Sequence, residues 1–583
     1  MLRDGVKGLD RTTCWQQHYV LCLDLFTALA EMEVLCGTIR AAKDAIREVI
    51  DHGKSLEDKH RVYCTLLDLC TTSTEANLDE AVDRCLEILK MYGEKLPRRP
   101  SRARITLELS SLLNLLPKRR FEGLLELPEM VDESAWRKCN ILTNHLAIAI
   151  GLLPGHDNLT LLAGIRALKT SCKYGICPET PLAILPIALA YRRQAKYTKA
   201  CETANVAILL SDRFCDRPLL SEIAKVKAVA HGCVLLTLCP FHKSLDVFLG
   251  FHEVALQRGA TKYSSISALI YCQCYFCVGL PLLPLKSDLA SFEEEAQQFG
   301  LADVFQVTFR VLRETIGNLE ETRDNPTNIT GHPTVQEQFV KPLEDKAREK
   351  VLLEICIFRL MLACIYGDLD TAKEMLDVIG TPKTMDMPFP REYIRLTYTG
   401  LAAFMVGRQR SAKRYMGLGK KVLHRLEKYV KQRSVNVRPV VLMLEAEAGP
   451  TKEKYDKAIK ACGRSGFMHH QAFMNERAGL FFLQQNDIEW AKTYLTRAVD
   501  LYTDWGALGK VARLRQAHAF VDAAPQLELS TSIKGRPRHK NTFASRIRTI
   551  KLFSSKKLGQ ELQREAQGRN GDERRYRGLD YSK

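Results

Sequence analysis

The chain has 583 residues, of which 26% are charged and 46% hydrophobic, as is usual for a folded globular protein. This balance excludes a fibrous or low-complexity chain. The formal net charge is +17, and residues 531–583 supply much of the excess, with 15 Lys and Arg against 5 Asp and Glu. The rest of the chain is only mildly basic, so its overall charge does not identify a partner.

The first residues, MLRDGVKGLD, contain no apolar run, so we expect no signal peptide. The 19 cysteines are scattered through apolar stretches without a regular spacing, which favours reduced thiols in a cytoplasmic or nuclear protein. The longest charge-free stretch, 263–285, has the length of a membrane span, but Pro281 and Pro284 interrupt it near its end. We therefore predict a buried helix there and no transmembrane segment.

Helical periodicity dominates from 14 to 523, with apolar residues recurring at three and four positions and no run that alternates as a strand does. We predict an all-α protein, a tetratricopeptide-like α-solenoid of stacked helical hairpins. The predicted divisions are an N-terminal half of the solenoid at 14–319, a polar linker at 320–342, a C-terminal half at 343–523 and a disordered basic tail at 524–583.

Two helices joined by a tight turn are clearest between 473 and 514. Gly479 precedes Ala491 by twelve positions, and Gly400 precedes Ala412 by the same interval. Such an interval joins points of close approach on two antiparallel helices, where a larger side chain would push the axes apart. The predicted helix-packing residues are Gly400, Ala412, Gly479, Ala491, Ala498, Trp505 and Gly506, the last two closing the final hairpin.

Five segments have counterparts in one known architecture: LEILKMYGEKLP (86–97), LLELPEM (124–130), YGICPETPLAI (174–184), LDVFLGFHEVALQRG (245–259) and the long segment 475–514, which closes on Trp505, Gly506 and Ala507. Together they resemble the tetratricopeptide-like helical region of large hybrid signalling kinases. In that family a Ser/Thr-kinase-like domain and an AAA-type ATPase precede the helical region, and a GAF domain and a histidine kinase follow it. The resemblance implies the connecting, partner-sensing module of such a kinase.

The catalytic motifs of that family are missing from this sequence. The string 417–421, GLGKK, lacks both the glycine spacing and the hydroxyl residue of a phosphate-binding loop. His424 and Arg425 are followed by Leu426, so no H-R-D loop forms, and there is no D-F-G. We expect no enzyme activity, no cofactor and no small-molecule substrate. The alternative is a piece of a multidomain ATPase and histidine kinase whose catalytic domains lie outside this chain.

Three further groups contain residue types that can react or bind a metal ion. Cys272, Cys274 and Cys277 lie in an apolar stretch without a second ligand pair, so we predict core packing rather than a metal site. The pair His469-His470 is predicted to have a surface or capping role, because adjacent residues face apart on a helix. The acidic run 293–295 is predicted to be a solvated helix face.

The basic tail carries an apolar series at 543, 547, 550 and 553 that would form one stripe on a helix. The basic residues beside it are Arg546, Arg548, Lys551, Lys556 and Lys557. A solvated, disordered tail is one interpretation; the others are binding to nucleic acid, to an anionic membrane or to a calmodulin-like protein, and nuclear localisation.

These patterns favour a non-catalytic scaffold of a signal-transduction system. Stacked hairpins would present a long concave face to signalling proteins, binding an extended or helical segment through many small contacts. An adaptor that uses its basic tail on nucleic acid or an anionic membrane is the other alternative.

Overall fold

The computed structural model describes residues 2–9, 13–36, 38–72, 78–146, 157–214, 220–257, 261–299, 303–329, 345–380 and 388–521. Most of the predicted linker and the whole of the tail at 524–583 lie outside the described residues. The candidate tail residues Arg546, Arg548, Lys551, Lys556 and Lys557 are therefore not part of the structural account.

The prediction of an all-α protein is confirmed over the described residues, which are about 83% helical and form no strand. The first part of the chain contains α1 (Leu2–Lys7), α2 (Cys14–Gln17), α3 (Tyr19–Leu35), α4 (Ile39–His52), α5 (Leu56–Thr72), α6 (Leu78–Met91), α7 (Arg102–Leu115), α8 (Glu133–Asn140), α9 (Asp157–Tyr174), α10 (Thr180–Arg193), α11 (Tyr197–Asp212) and α12 (Leu220–Val229).

The second part contains α13 (Phe241–Gln257), α14 (Thr261–Val278), α15 (Leu282–Gln298), α16 (Asp303–Glu320), α17 (Asp345–Tyr366), α18 (Leu369–Ile379), α19 (Phe389–Gln409), α20 (Lys413–Lys431), α21 (Arg438–Ala448), α22 (Lys452–Arg464), α23 (Met468–Gln484), α24 (Ile488–Trp505) and α25 (Leu508–Ala517). Among the helices described, none combines the length and the apolar character needed to cross a bilayer.

Consecutive helices pack in pairs, and several pairs share one kind of turn. One residue adopts a left-handed conformation, and the next donates its N–H to a carbonyl five residues back, as in Ala412 N to Gly407 O at 2.9 Å and Asp487 N to Phe482 O at 3.0 Å. This is the Schellman arrangement, which satisfies the last carbonyls of a helix. The last turn residue is also the N-cap of the following helix, so three residues, 410–412 and 485–487 in these two pairs, suffice to reverse the chain.

Three hydrophobic cores follow one another along the chain. The first is formed by α1 to α5, the second by α5 to α12 and the third by α11 to the end of the described residues. The third core contains side chains from both sides of the predicted linker, so helices that lie before and after it pack together.

Long-range contacts join the middle of the chain to its C-terminal part. The ring of Tyr197 stacks on Tyr429 with 4.0 Å between centroids. Asn436 accepts a hydrogen bond from Phe241 N at 3.1 Å and donates one to Cys239 O at 2.8 Å. These contacts hold α11 against the last turn of α20 and the start of α13 against the segment between α20 and α21.

The described start of the polar linker is also held in place. Asn318 donates to the carbonyls of Pro326 and Asn328 at 3.0 and 2.8 Å. From α25, Arg513 donates to the carbonyls of Arg323 and Asp324 at 2.6 and 2.8 Å. The last helix therefore packs beside the segment that follows α16.

Candidate functional site

The predicted close approach in the last hairpin lies at Gly479. A methyl group there would be 2.6 Å from Leu495 Cγ and 3.3 Å from the carbonyl oxygen of Ala491. Ala491 and Ala498 are fully buried on the facing helix. The two helices touch at this point because Gly479 has no side chain.

The corresponding residues of α19 and α20 are placed differently. Gly400 faces Leu444 of α21 and Val422 of α20, where a methyl group would be 3.2 Å from Val422 Cγ1. Ala412 is half-buried and occupies the turn as the N-cap of α20. The twelve-residue interval therefore joins two helices that touch in the last hairpin. In the hairpin of α19 and α20 it joins a helix residue to a turn residue.

We expect Gly479→Leu to lower the free energy of unfolding by about 1–3 kcal/mol, because the new side chain overpacks the contact with α24. The matched control is Gly417→Leu in α20, where a Cβ would have no atom within 4 Å. Equilibrium denaturant unfolding of both variants provides the measurement. Equal stability of the two would contradict the assignment of a close helix contact at Gly479.

Trp505 and Gly506 end α24 within the third core. The Trp505 ring is fully buried and lies 5.3 Å from the His469 ring and 5.9 Å from the Phe276 ring, centroid to centroid. Gly506 has φ of 96°, which a residue with a side chain rarely adopts, and its left-handed conformation turns the chain into α25.

The charge-free stretch forms α14, a buried helix as predicted. Cys272, Cys274 and Cys277 are completely enclosed, and burial raises the pKa of each thiol, so the thiols stay protonated. Core packing is confirmed for all three. Over the described residues, no group of His, Cys, Asp and Glu side chains is arranged to hold a metal ion.

Helix α14 lies against the first helices of successive C-terminal pairs. Its Phe276 ring is 6.4 Å from Phe358 of α17 and 6.3 Å from His469 of α23. Its Cys277 Sγ donates to the carbonyl of Pro390 in α19 at 3.7 Å. This helix of the chain itself therefore covers the surface that α17, α19 and α23 would otherwise expose.

The predicted surface or capping role of His469 and His470 is wrong. Both rings are buried, with exposed fractions of 4% and 1%. The two rings lie beside each other, with 3.9 Å between their centroids, and Phe276 of α14 packs near His469 while Tyr393 of α19 packs near His470. Burial lowers the pKa of both imidazoles, that of His470 to about 3, so both rings are neutral.

The predicted solvated face at 293–295 holds only for Glu294, which is exposed. Glu293 is buried and forms ion pairs with Arg310 at 2.7 Å and Arg313 at 2.9 Å, both on α16. Burial raises the pKa of Glu295 to about 7. Packing of α15 against α16 encloses Glu293, whereas Glu295 lies 3.6 Å from Nε2 of His252 on α13.

Buried carboxylates that the sequence did not single out connect distant helices. Glu392 accepts hydrogen bonds from Arg192 and Arg425, and Glu476 accepts from Lys510 at 2.6 Å. None of the side chains of Arg192, Glu392, Glu476 and Lys510 exceeds an exposed fraction of 7%. The only local signal was a charged residue inside a helical apolar run, which does not reveal a partner 200 positions away.

Glu447 is fully buried, as Glu392 is. It accepts hydrogen bonds from two of the three guanidinium nitrogens of Arg477 at 2.9 and 3.1 Å and also pairs with Arg408. Burial alone would raise the pKa of Glu447, but the two guanidinium groups outweigh it and hold the pKa below its usual value. The buried Glu447 carboxylate therefore joins α19, α21 and α23 through its two arginine partners.

A surface pocket lies where two segments of the family resemblance meet. Met130 N donates to Ile176 O and Ile176 N to Pro128 O, each at 2.8 Å, forming the parallel bridge between Glu129 and Ile176. The pocket beside it has a volume of about 220 Å³, and it is lined by Glu129, Met130, Val131, Asp132, Glu133, Trp136, Ile176, Cys177 and Pro178. Sequence reasoning missed it because its walls come from segments about 45 positions apart.

The pocket combines a fixed aromatic wall with an exposed apolar rim. Trp136 is held by a hydrogen bond from its Nε1 to Glu179 Oε2 at 2.9 Å. Val131 is 90% exposed, the largest fraction among the exposed large apolar side chains of the described residues. Asp132 caps α8 by accepting from Ala135 N at 2.8 Å, which places carboxylates at the rim.

The string 417–421 lies in the middle of α20 and not in a loop. Its backbone N–H groups belong to a continuous helix and are not free to surround a phosphate as those of a phosphate-binding loop are. Residues 417–421 therefore do not form a phosphate-binding loop.

No protein-family model matches the chain, and a search of curated proteins finds no match. The resemblance to the helical region of hybrid signalling kinases stays a prediction based on the five segments.

Proposed function

We propose that the chain is a non-catalytic, tetratricopeptide-like α-solenoid that acts as a protein-interaction scaffold in signal transduction. Its partner would dock at the pocket beside Glu129 and Ile176. The observation that carries the proposal is the combination there of a rigid aromatic wall with a nearly fully exposed Val131.

The repeated three-residue turns and paired helices support a repeat scaffold, because such pairs bury their apolar faces only against neighbours. Helix α14 covers the first helices of several C-terminal pairs, so we assign partner binding to a different surface. Free buried thiols such as Cys272 are compatible with a reducing compartment, and we propose the cytoplasm.

The pocket volume is sufficient for one large apolar side chain of a partner. A cavity of about 150 Å³ accommodates a benzene ring, and this pocket holds about 220 Å³. Anchors of this kind supply most of the energy in many protein interfaces. The carboxylates of Asp132 and Glu133 at the rim favour a basic residue beside that anchor.

We expect Val131→Asp to weaken partner binding at least about tenfold, because it places a charge at the apolar rim. The matched control is Leu107→Asp on α7, where Leu107 is 72% exposed and outside the pocket. Partners captured by the full chain would be identified, and their affinities for the three purified proteins measured by calorimetry.

A protein that binds the wild type and the Leu107 variant equally, and the Val131 variant more weakly, would support the proposal. Equal binding of all three would exclude the pocket as the docking site. Turnover of ATP by the purified chain would contradict the non-catalytic part of the proposal.

A further inference from the structure

Helix α20 carries a row of cations along one exposed side. Lys413, Lys420, His424, Lys428 and Lys431 are all exposed. Their spacings of seven, four, four and three keep them within one sector of the helix. At 1.5 Å per residue the row is about 27 Å long. We call these five residues the basic row.

The lysines of the basic row are not used by the fold. None of the four pairs with a carboxylate in the part of the chain that the structure describes. The arginines of α20 behave differently, since Arg414 pairs with Asp377 at 3.1 Å and Arg425 with buried Glu392. Internal partners therefore neutralise the arginines and leave the lysines facing solvent.

The surroundings strengthen the positive field. Helix α20 has seven Lys and Arg and one acid, Glu427. Helix α22 packs against the same neighbour, α21, and has five Lys and Arg and two acids. At the start of the row an open cavity of about 430 Å³ is lined by Gly407, Arg408, Ser411, Lys413, Met416, Gly417 and Lys420.

The side chains on this surface favour some classes of anionic partner over others. Protein interfaces are depleted of lysine and centred on aromatic or apolar groups, yet no large apolar side chain described in α20 or α22 is exposed. Insertion into a membrane interface also needs apolar groups. Single-stranded nucleic acid is bound through aromatic stacking platforms, which are missing from these two helices.

Phosphates of a duplex need only correctly spaced cations. An open helix surface also allows close approach at Gly417, where nothing lies within 4 Å of a Cβ position. We propose that the basic row of α20 binds the phosphate backbone of double-stranded nucleic acid without reading its sequence. This surface is separate from the pocket at Glu129, so either proposal can fail without the other.

The test measures binding of the full chain to a duplex of about 20 base pairs by fluorescence anisotropy, from about 50 to about 200 mM salt. The row variant combines Lys413→Gln, Lys420→Gln, Lys428→Gln and Lys431→Gln. We expect the slope of log affinity against log salt to become shallower by about 3 to 4, since each phosphate contact contributes about 0.9.

The matched control removes four other exposed lysines, with Lys90→Gln, Lys95→Gln, Lys196→Gln and Lys243→Gln, and so changes the net charge equally. Its slope should change by less than about 1. A third variant, with arginine at the four row positions, should retain the wild-type slope. The basic tail is present in all four proteins, so its contribution cancels.

Equal slopes for the row variant and the control would overturn the proposal, because binding would then follow net charge. The proposal would also be overturned if the row variant lost binding only to polyglutamate or only to phosphatidylserine vesicles. The partner would then be an acidic protein or a membrane. Loss of binding in the arginine variant, with unchanged circular dichroism, would also count against it. Parallel duplexes of DNA and RNA determine which source of the backbone is preferred.

Discussion

Lowering the pH from about 6.5 to about 4 should strongly destabilise the folded chain. Burial lowers the pKa of six histidines: that of His60, His231 and His252 to about 4, that of His470 to about 3, that of His469 well below its usual value, and that of His518 in the same direction. In the unfolded chain each would have a pKa of about 6.5. Between these values the unfolded state binds more protons than the folded state, so stability falls as the pH falls.

The expected effect is large because the contributions add. One pKa unit corresponds to 1.36 kcal/mol, so a histidine lowered from about 6.5 to about 4 loses roughly 3 kcal/mol of stabilisation across this window. Two groups oppose the trend. Burial would lower the pKa of His145, but its contacts with Asp68 and Cys64 raise it to about 9, and burial raises the pKa of Glu295 to about 7, so both bind more protons in the folded than in the unfolded state.

The variant that tests this origin is His470→Gln, whose amide can still contact the Tyr393 hydroxyl, 3.4 Å from His470 Nδ1. Its unfolding free energy should depend less on pH, by about 1.4 kcal/mol per pH unit below pH 6. The control is His424→Gln, which removes an exposed histidine. Denaturant unfolding at several pH values measures both. An unaltered pH dependence in the His470 variant would show that another group causes the acid sensitivity.

Arg192→Met should destabilise the fold by about 3–5 kcal/mol, because it removes one partner of a buried carboxylate. Arg192 and Glu392 have side chains with exposed fractions of 1% and 0%, and they join α10 to α19. Arg425 and the Tyr429 hydroxyl would remain as donors to Glu392, but one carboxylate oxygen would lose its guanidinium partner.

The control for this prediction is Arg414→Met, which removes an ion pair to Asp377 from a side chain that is 75% exposed. Its cost should stay below about 1 kcal/mol. Denaturant unfolding compares the two, and the double variant Arg192→Met with Glu392→Gln should be less unstable than the sum of its single changes. Strict additivity would mean that the two side chains do not interact.

Local features of the sequence were enough to predict the fold class. Helical periodicity identified the helices, and the turn at Gly506 follows from a glycine after the last periodic residue. The contact at Gly479 was also accessible, because both sides of a hairpin are close in sequence. Periodicity and turn residues therefore predict contacts within one hairpin, but not contacts between distant hairpins.

What the sequence did not reveal depends on contacts between distant segments. The rule that adjacent helical residues face apart did not hold for the rings of His469 and His470, whose centroids are 3.9 Å apart, and it could not show that α14 and α19 cover them. The pocket at Glu129 and Ile176 forms only when two loops meet. Glu392 can pair with Arg192 only if helices 200 positions apart in sequence are neighbours in space. Hydrophobic periodicity does not predict which distant helices are neighbours.

The position of α14 changes how this chain can be divided. A regular repeat array tolerates removal of whole units from one end, because each unit touches only those next to it. Here the cysteine-rich helix fills space between units that come much later, against Phe358 and Trp505. A fragment that begins after it would be left with an open apolar cleft, so the later hairpins depend on an earlier part of the chain for their solubility.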